Sequence, residues 1–129
     1  MNKIIVEVSI GELFDKSSIL EIKQEKIKDP EKLKFISNEH SILKSQLENN
    51  IKTDDKLNKL FQSLKEINAK LWVIEDDKRQ CEKDKNFGEK FIKLSRDVHF
   101  LNDDRAKIKL EINNHTGSVI KEIKEYTTY

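Results

Sequence analysis

The sequence predicts a mainly helical protein, with a four-helix arrangement built on a long antiparallel helical hairpin. Two observations lead to this fold class. Apolar residues recur at helical spacing along four stretches of the 129-residue chain. The single proline and the three glycines stand at the boundaries of those stretches rather than inside them. A chain of this length supports one modest core, so we expect residues 1–129 to form a single domain.

The first predicted elements are a strand and two helices. The segment "KIIVEV", residues 3–8, is rich in β-branched residues and predicts a short strand. Ser9, followed three residues later by Glu12, has the capping-box spacing and predicts a helix over 10–28. The pair Asp29 and Pro30 is typical of an N-cap and first helical position, so a second helix is expected over 30–49.

The third and fourth predicted helices are the longest. Thr53 or Asp54 can cap a helix over 54–83, which at 1.5 Å per residue is about 45 Å long. A fourth helix is expected over 87–116, with Asn86 and Glu89 repeating the capping-box spacing. Gly117 should end that helix.

A short turn between these two helices predicts an antiparallel hairpin, folded near residue 85. Residue i then lies roughly opposite residue 170 − i, which pairs Asn68 with Asn102 and places Glu75 beside Arg96. The tail over 117–129 is either β-prone or helical, and pairing with the N-terminal strand is one alternative for it.

Composition narrows the class of partner. The 25 basic residues almost balance the 24 acidic ones, so the chain has no net field to attract polyanions, and general nucleic-acid binding is disfavoured. No apolar stretch approaches the roughly 20 residues of a membrane span, so we expect no membrane partner. The single cysteine, Cys81, excludes an internal disulfide and fits a cytoplasmic protein.

Two acidic clusters on the hairpin raise the alternative of a metal site. Glu75 and Asp76 on the third helix and Asp103 on the fourth offer carboxylates that suit Mg²⁺, as in all-α nucleotide pyrophosphohydrolases. The E-x-x-E pairs of those enzymes are absent from both helices, and the hairpin register separates the clusters by about 12 Å. A Mg²⁺-dependent hydrolase therefore stays an alternative, and the main prediction contains no cofactor.

Polar residues also interrupt the apolar stripes of the hairpin. Burying such groups unpaired costs about 1 to 3 kcal/mol each, so they must face partners or a ligand. Trp can stack on a planar group, and Arg binds phosphate or carboxylate through two parallel hydrogen bonds. We therefore expect a polar cleft for a small anionic ligand, framed by Trp72, Glu75, Asp76, Arg79, Arg96, Asn102, Arg105 and Lys109.

The competing interpretation is structural. Seam polar residues such as Asn68 and Asn102 can fix helix register, as in coiled coils. A thin hairpin also leaves apolar surface that needs cover, which favours a homo-oligomer under either interpretation. A purely structural assembly protein is therefore a second alternative.

Several segments resemble a family: "VSIGELFDKSSILEIKQEKI", "LWVIEDDKRQCE", "FIKLSRDVHFLNDDRAKIKLEIN" and "GSVIKEIKEY". In order and spacing they are similar to a small family of bacterial and phage proteins catalogued as a domain of unknown function. The resemblance implies no catalytic residue, cofactor or substrate. It does imply that "DK" at 15–16, "IED" at 74–76 and "NDDR" at 102–105 belong to its motifs, which adds Lys16 and Asp103 to the candidate ligand-binding residues.

The sequence thus predicts a non-enzymatic, oligomeric, helical binding protein. Its ligand is expected to be nucleotide-like or a sugar phosphate. The family's bacterial and phage setting, together with a Lys-, Ile- and Asn-rich composition, suggests a phage protein that sequesters a host signalling nucleotide in the cytoplasm of the infected cell.

Overall fold

Four helices make up the regular structure of the computed structural model, which describes residues 2–129. Their bounds are α1 Ile10–Lys26, α2 Pro30–Asn50, α3 Asp55–Lys83 and α4 Glu89–Thr116. The mainly helical fold with four helices is confirmed, and each helix begins and ends within two residues of its predicted bounds.

The predicted N-terminal strand is wrong: residues 2–129 contain no strand, either over 3–8 or in the tail. β-Branched residues favour an extended backbone, but a strand exists only where a neighbouring strand supplies hydrogen bonds. Residues 2–8 are all exposed, so this β-prone segment has no neighbouring strand within one chain.

Local capping chemistry sets where the helices begin. Ser9 Oγ accepts a hydrogen bond from the Glu12 N–H at 3.1 Å, and Asp54 Oδ1 accepts one from the Leu57 N–H at 2.8 Å. Asp29 caps α2 and Pro30 follows it, as predicted. The capping box predicted at Asn86 is wrong, because α4 begins after Gly88 and no side chain caps it.

The end of α4 is also as predicted. Gly117 follows the helix with φ +70°, a left-handed conformation that a residue without a Cβ adopts at little cost. Residues 118–129 then return along α4 without regular structure. Lys121 Nζ lies 2.9 Å from Asn114 Oδ1, and the Tyr129 ring packs edge-on against His99.

Helix α1 is the centre of the fold, because it packs against α2, α3 and α4, whereas α3 and α4 pair as the predicted hairpin. Close approach to α4 is possible at Gly11: a Cβ there would lie only 2.5 Å from the Lys109 carbonyl oxygen. Asn113 completes this crossing, because its Oδ1 accepts a hydrogen bond from the Gly11 N–H at 2.6 Å. The start of α1 is therefore fixed against the end of α4.

The apolar core is small and lies where α1 crosses α3 and α4. It consists of Phe14, Leu57, Leu64 and Ile112, with partly buried neighbours around it. Cys81 is also buried, farther along α3. No helix within residues 2–129 has the length and apolarity that crossing a membrane requires.

Candidate functional site

A buried carboxylate occupies the middle of the bundle. Asp15 projects from α1 with only 2% of its side chain exposed. Arg105 of α4 binds it through two hydrogen bonds, from Nε to Oδ1 at 2.9 Å and from a terminal nitrogen to Oδ2 at 2.6 Å. Asn68 of α3 donates to Oδ1 at 2.9 Å. Three helices are thus joined through one side chain, and we call Asp15, Asn68, Arg105 and Lys109 the Asp15 hub.

Lys109 extends the hub toward the tail. Its ammonium lies 2.7 Å from Glu12, 3.0 Å from Glu122 and 4.0 Å from Asp15, with 10% of the side chain exposed. Desolvation is the largest single influence on the pKa of Lys109 and lowers it, but the hydrogen bonds to Glu12 and Glu122 outweigh burial and raise that pKa overall. Lys109 therefore stays charged and holds the tail segment against α4.

The hub fixes the charge and orientation of Arg105. The hydrogen bond to Asp15 is the main cause that raises the pKa of Arg105, against a smaller lowering by burial. A planar guanidinium held by two parallel hydrogen bonds has little rotational freedom. Its remaining terminal nitrogen makes only a long contact of 3.4 Å with Asn102 Oδ1. That nitrogen therefore retains the capacity to donate to another group.

A cavity of about 430 Å³ opens beside Arg105, between α1 and α3. Its apolar surface is formed by Ile19, Ile22, Leu71 and Trp72. Its polar surface is formed by Asn68, Glu75, Asp76, Arg79 and Arg105. We call it the Trp72 cavity. Its volume lies within the roughly 300 to 1,000 Å³ of small-molecule sites.

The charged groups of the Trp72 cavity carry both signs. Arg79 is 77% exposed at the rim and makes only long contacts with Glu75 one turn away, 3.3 Å to its carboxylate and 3.4 Å to its backbone carbonyl oxygen. An exposed pair of this kind contributes a few tenths of a kcal/mol, so an incoming anion can compete for Arg79. Asp76 is exposed beside them. The cavity therefore offers a half-buried indole, two arginines and two carboxylates to one ligand.

A larger cleft of about 940 Å³ lies between α1, α2 and the start of α3. The Phe14 and Phe61 rings, 5.9 Å apart, contribute to its floor, and exposed ends of Lys44 and Lys52 reach its edge. Those ammonium groups lie at the ends of flexible aliphatic side chains. The Trp72 cavity has the more defined chemistry, because the hub holds one of its cations in place.

Half of the candidate residues predicted from the sequence come together in the Trp72 cavity: Trp72, Glu75, Asp76, Arg79 and Arg105. The other five lie elsewhere. Lys16 is exposed and pairs with Glu39 at 3.3 Å. Arg96 lies over the Phe100 ring at 5.8 Å, and Asp103 accepts a hydrogen bond from the Tyr129 hydroxyl. Asn102 and Lys109 adjoin Arg105 through the hub without lining the cavity.

The register-setting pair of Asn68 with Asn102 is wrong. Asn68 donates to Asp15 and to Ser18 Oγ at 2.8 Å, and Asn102 accepts from Arg105. Ala69, Lys70, Phe100 and Leu101 do line one groove between α3 and α4. Asn68 instead faces α1, because the buried Asp15 carboxylate needs hydrogen-bond donors.

The predicted contact between Glu75 and Arg96 is also wrong, because the register considers only α3 and α4. Glu75 contacts Arg79, and the arginine of α4 that shares its cavity is Arg105. A register drawn for two helices does not take account of the third helix that lies across them.

Within residues 2–129, no three His, Cys, Asp or Glu side chains gather in a way that could hold a metal ion.

Sequence reasoning missed the anionic side of the hub. The sequence places Asp15 only in the "DK" motif and Glu12 only in a capping box. A signal was present, because Asp15 lies one turn from both Gly11 and Ser18, on a face of small residues that allows helices to approach closely. An acidic residue on such a face must find cationic partners on the neighbouring helices.

Comparison with known protein families gave a match for this chain. A family model described as "Family of unknown function (DUF6165)" matches residues 4–129. No curated protein and no solved structure gave a match.

Proposed function

The chain belongs to this family of unknown function, and from the Trp72 cavity we propose that it is a non-enzymatic binding protein for a small, nucleotide-like anion. The observation that supports the proposal is the position of Arg105. This arginine lines the cavity while Asp15 holds two of its three nitrogens, so a hydrogen-bond donor is fixed beside the Trp72 indole.

The three chemical features of a nucleotide each have a counterpart in this cavity. A nucleobase can stack on Trp72, since aromatic stacking of a base contributes about 1 to 3 kcal/mol. Amino or ring N–H groups of the base can donate to Glu75 and Asp76. A phosphate can accept hydrogen bonds from Arg79 and Arg105. A sugar phosphate lacks the aromatic base, so we expect it to bind more weakly.

The presence of two carboxylates also limits the ligand. A compact polyanion would be repelled by Glu75 and Asp76, whereas a ligand with separated donor and anionic ends places each end beside the opposite charge. A nucleoside monophosphate therefore fits the charge pattern better than free pyrophosphate.

We further propose a cytoplasmic location, which the single free thiol of Cys81 supports.

Thermal unfolding of the chain with a panel of ligands tests the proposal. The panel contains AMP, GMP, CMP, UMP, glucose 6-phosphate and pyrophosphate, each with and without Mg²⁺. A ligand at 100 times its Kd stabilises the folded state by about 2.7 kcal/mol, and such a shift should appear with at least one nucleoside monophosphate and without Mg²⁺. If no member shifts the midpoint, the proposal fails. Hydrolysis that needs Mg²⁺ and is lost in Asp76→Asn would contradict the non-enzymatic part.

Matched arginine variants locate the site. Arg79→Ala should weaken the ligand that binds by about fivefold to tenfold, because one charge-assisted hydrogen bond at a wet rim contributes about 1 kcal/mol. Arg96→Ala is the control, since this residue is also an exposed arginine but lies over Phe100, outside the cavity. Equal losses in the two variants would show that binding depends on general charge and not on this cavity.

A further inference from the structure

The segment before α1 exposes large apolar side chains. In residues 3–8, the exposed fractions are 89% for Ile4, 85% for Ile5 and 69% for Val6. These β-branched residues favour an extended backbone, whose unpaired N–H and C=O groups are a template for another strand. The feature to be explained is therefore a strand-forming sequence that is solvated in one chain.

Two copies of this segment, laid side by side in antiparallel directions, place oppositely charged residues against each other and apolar residues against apolar ones. If Ile5 lies opposite Ile5 of a second copy, each residue i lies opposite residue 10 − i, so Lys3 faces Glu7. Directly opposite side chains are about 4.5 to 5.5 Å apart at Cβ, and opposite charges there stabilise the pair. One face of the ribbon then carries two Lys3–Glu7 pairs around Ile5.

The central pairs on the other face of the same ribbon are apolar, because Ile4 falls opposite Val6 in both directions, and Val8 falls opposite Asn2 at each end. A parallel, in-register pair would instead place Lys3 on Lys3 and Glu7 on Glu7, which is repulsive. A shift by one residue would place charge against apolar side chains. The sequence therefore specifies both the direction and the register of pairing.

The segment is held at one end by the bundle. Ser9 is buried, and the Ile10 N–H donates to Ser118 Oγ at 3.1 Å, so residues 3–8 extend from a fixed point. The other exposed β-prone stretch, in the tail, is already engaged, because Glu122 binds Lys109 at 3.0 Å. A second copy is therefore a better partner for residues 3–8 than the chain's own tail.

We propose that residues 3–7 of two copies pair as an antiparallel ribbon whose two-fold axis passes through Ile5, and that this ribbon joins the chain into a homodimer. The strand that the sequence predicts then forms between molecules. Two short strands give a marginal interface, so we expect a dissociation constant on the order of 100 µM. The ribbon leaves the Trp72 cavity of each copy in its own bundle, so dimer formation and ligand binding can be tested separately.

Charge reversal tests the register directly. Lys3→Glu alone, or Glu7→Lys alone, turns two attractive pairs into two repulsive ones and should raise the dimer dissociation constant about tenfold in sedimentation equilibrium. An equimolar mixture of the two variants should form a heterodimer, because the glutamates of one then face the lysines of the other. The double variant Lys3→Glu/Glu7→Lys should dimerise like the unchanged chain.

Two position controls complete the experiment. Ile5→Asp should abolish the dimer, whereas Val119→Asp, at a β-branched residue that is 99% exposed in the tail, should leave it intact. Ile5→Cys should oxidise to a covalent dimer, because opposite residues of an antiparallel pair lie within disulfide reach. Circular dichroism checks that each variant keeps its helices. A chain that stays monomeric at about 500 µM, or a dimer that survives Ile5→Asp, would overturn the proposal.

Discussion

Replacing Asp15 by Leu tests whether the hub holds the bundle together. The variant keeps the branched shape and the number of heavy atoms but removes the carboxylate that Arg105 binds through two nitrogens. Breaking a buried ion pair by removing one partner costs about 3 to 5 kcal/mol, because the remaining charge is left without compensation. The Arg105 side chain is 29% exposed and Lys109 keeps two other carboxylates, so the lower end of that range applies.

We therefore expect Asp15→Leu to lower the free energy of unfolding by about 3 kcal/mol, which corresponds to a fall of roughly 12 °C in Tm for a chain of this size. The assay is urea denaturation followed by the fluorescence of Trp72. Lys16→Ala is the matched control: it removes a neighbouring residue whose ion pair is about half exposed, and its effect should stay within about 0.5 kcal/mol.

A double variant separates loss of the pair from loss of packing. Asp15→Leu/Arg105→Met replaces the ion pair by apolar side chains of similar volume, a change that is often close to neutral. The double variant should therefore be more stable than Asp15→Leu alone. A cost of Asp15→Leu below about 1 kcal/mol, or costs of the two substitutions that simply add, would contradict the role of the Asp15–Arg105 pair.

Three further predictions concern packing and pH. Gly11→Ala should lower the free energy of unfolding by about 1 to 3 kcal/mol in urea denaturation, because the added Cβ would lie 2.5 Å from the Lys109 carbonyl oxygen. Gly88→Ala is the control: its Cβ would lie 3.5 Å from the nearest atom, Asn86 Oδ1, so the free energy of unfolding should change by less than about 0.5 kcal/mol. Leu64→Ala should cost about 2 to 5 kcal/mol, because Leu64 is fully buried, and a cost under 1 kcal/mol would contradict its place in the core. The hydrogen bond from Lys109 lowers the pKa of Glu122, so the Lys109–Glu122 ion pair contributes fully above the ordinary pKa of a glutamate, and its contribution is lost as pH falls through the lowered pKa. The amide chemical shift of residue 122 should titrate there, and this titration should be absent in Glu122→Gln.

Helix positions followed from the sequence because their signals are local. Ser9, Asp29 and Asp54 each cap the helix predicted to begin beside them, and Gly117 ends α4 as expected. The strand over 3–8 failed because its preference needs a partner that one chain does not supply. Local chemistry therefore predicts where helices begin and end, but not whether an extended segment finds a neighbour.

The candidate site was predicted only in part, for a different reason. Trp72, Glu75 and Arg79 follow from one helix and come together as expected, but Arg105 reaches them because α1 lies across the hairpin and brings Asp15. A register drawn for two helices favoured Arg96 instead. Contacts among three helices depend on crossing angles, which apolar spacing does not contain.

Titration of Trp72 fluorescence with a nucleoside monophosphate tests the central claim most directly, because Trp72 is the only tryptophan of the chain and lines the cavity. Stacking of a base should change its emission in a saturable way, with a Kd that rises about fivefold to tenfold in Arg79→Ala and stays unchanged in Arg96→Ala. Emission that does not respond to any nucleoside monophosphate or sugar phosphate at millimolar concentration would contradict the account.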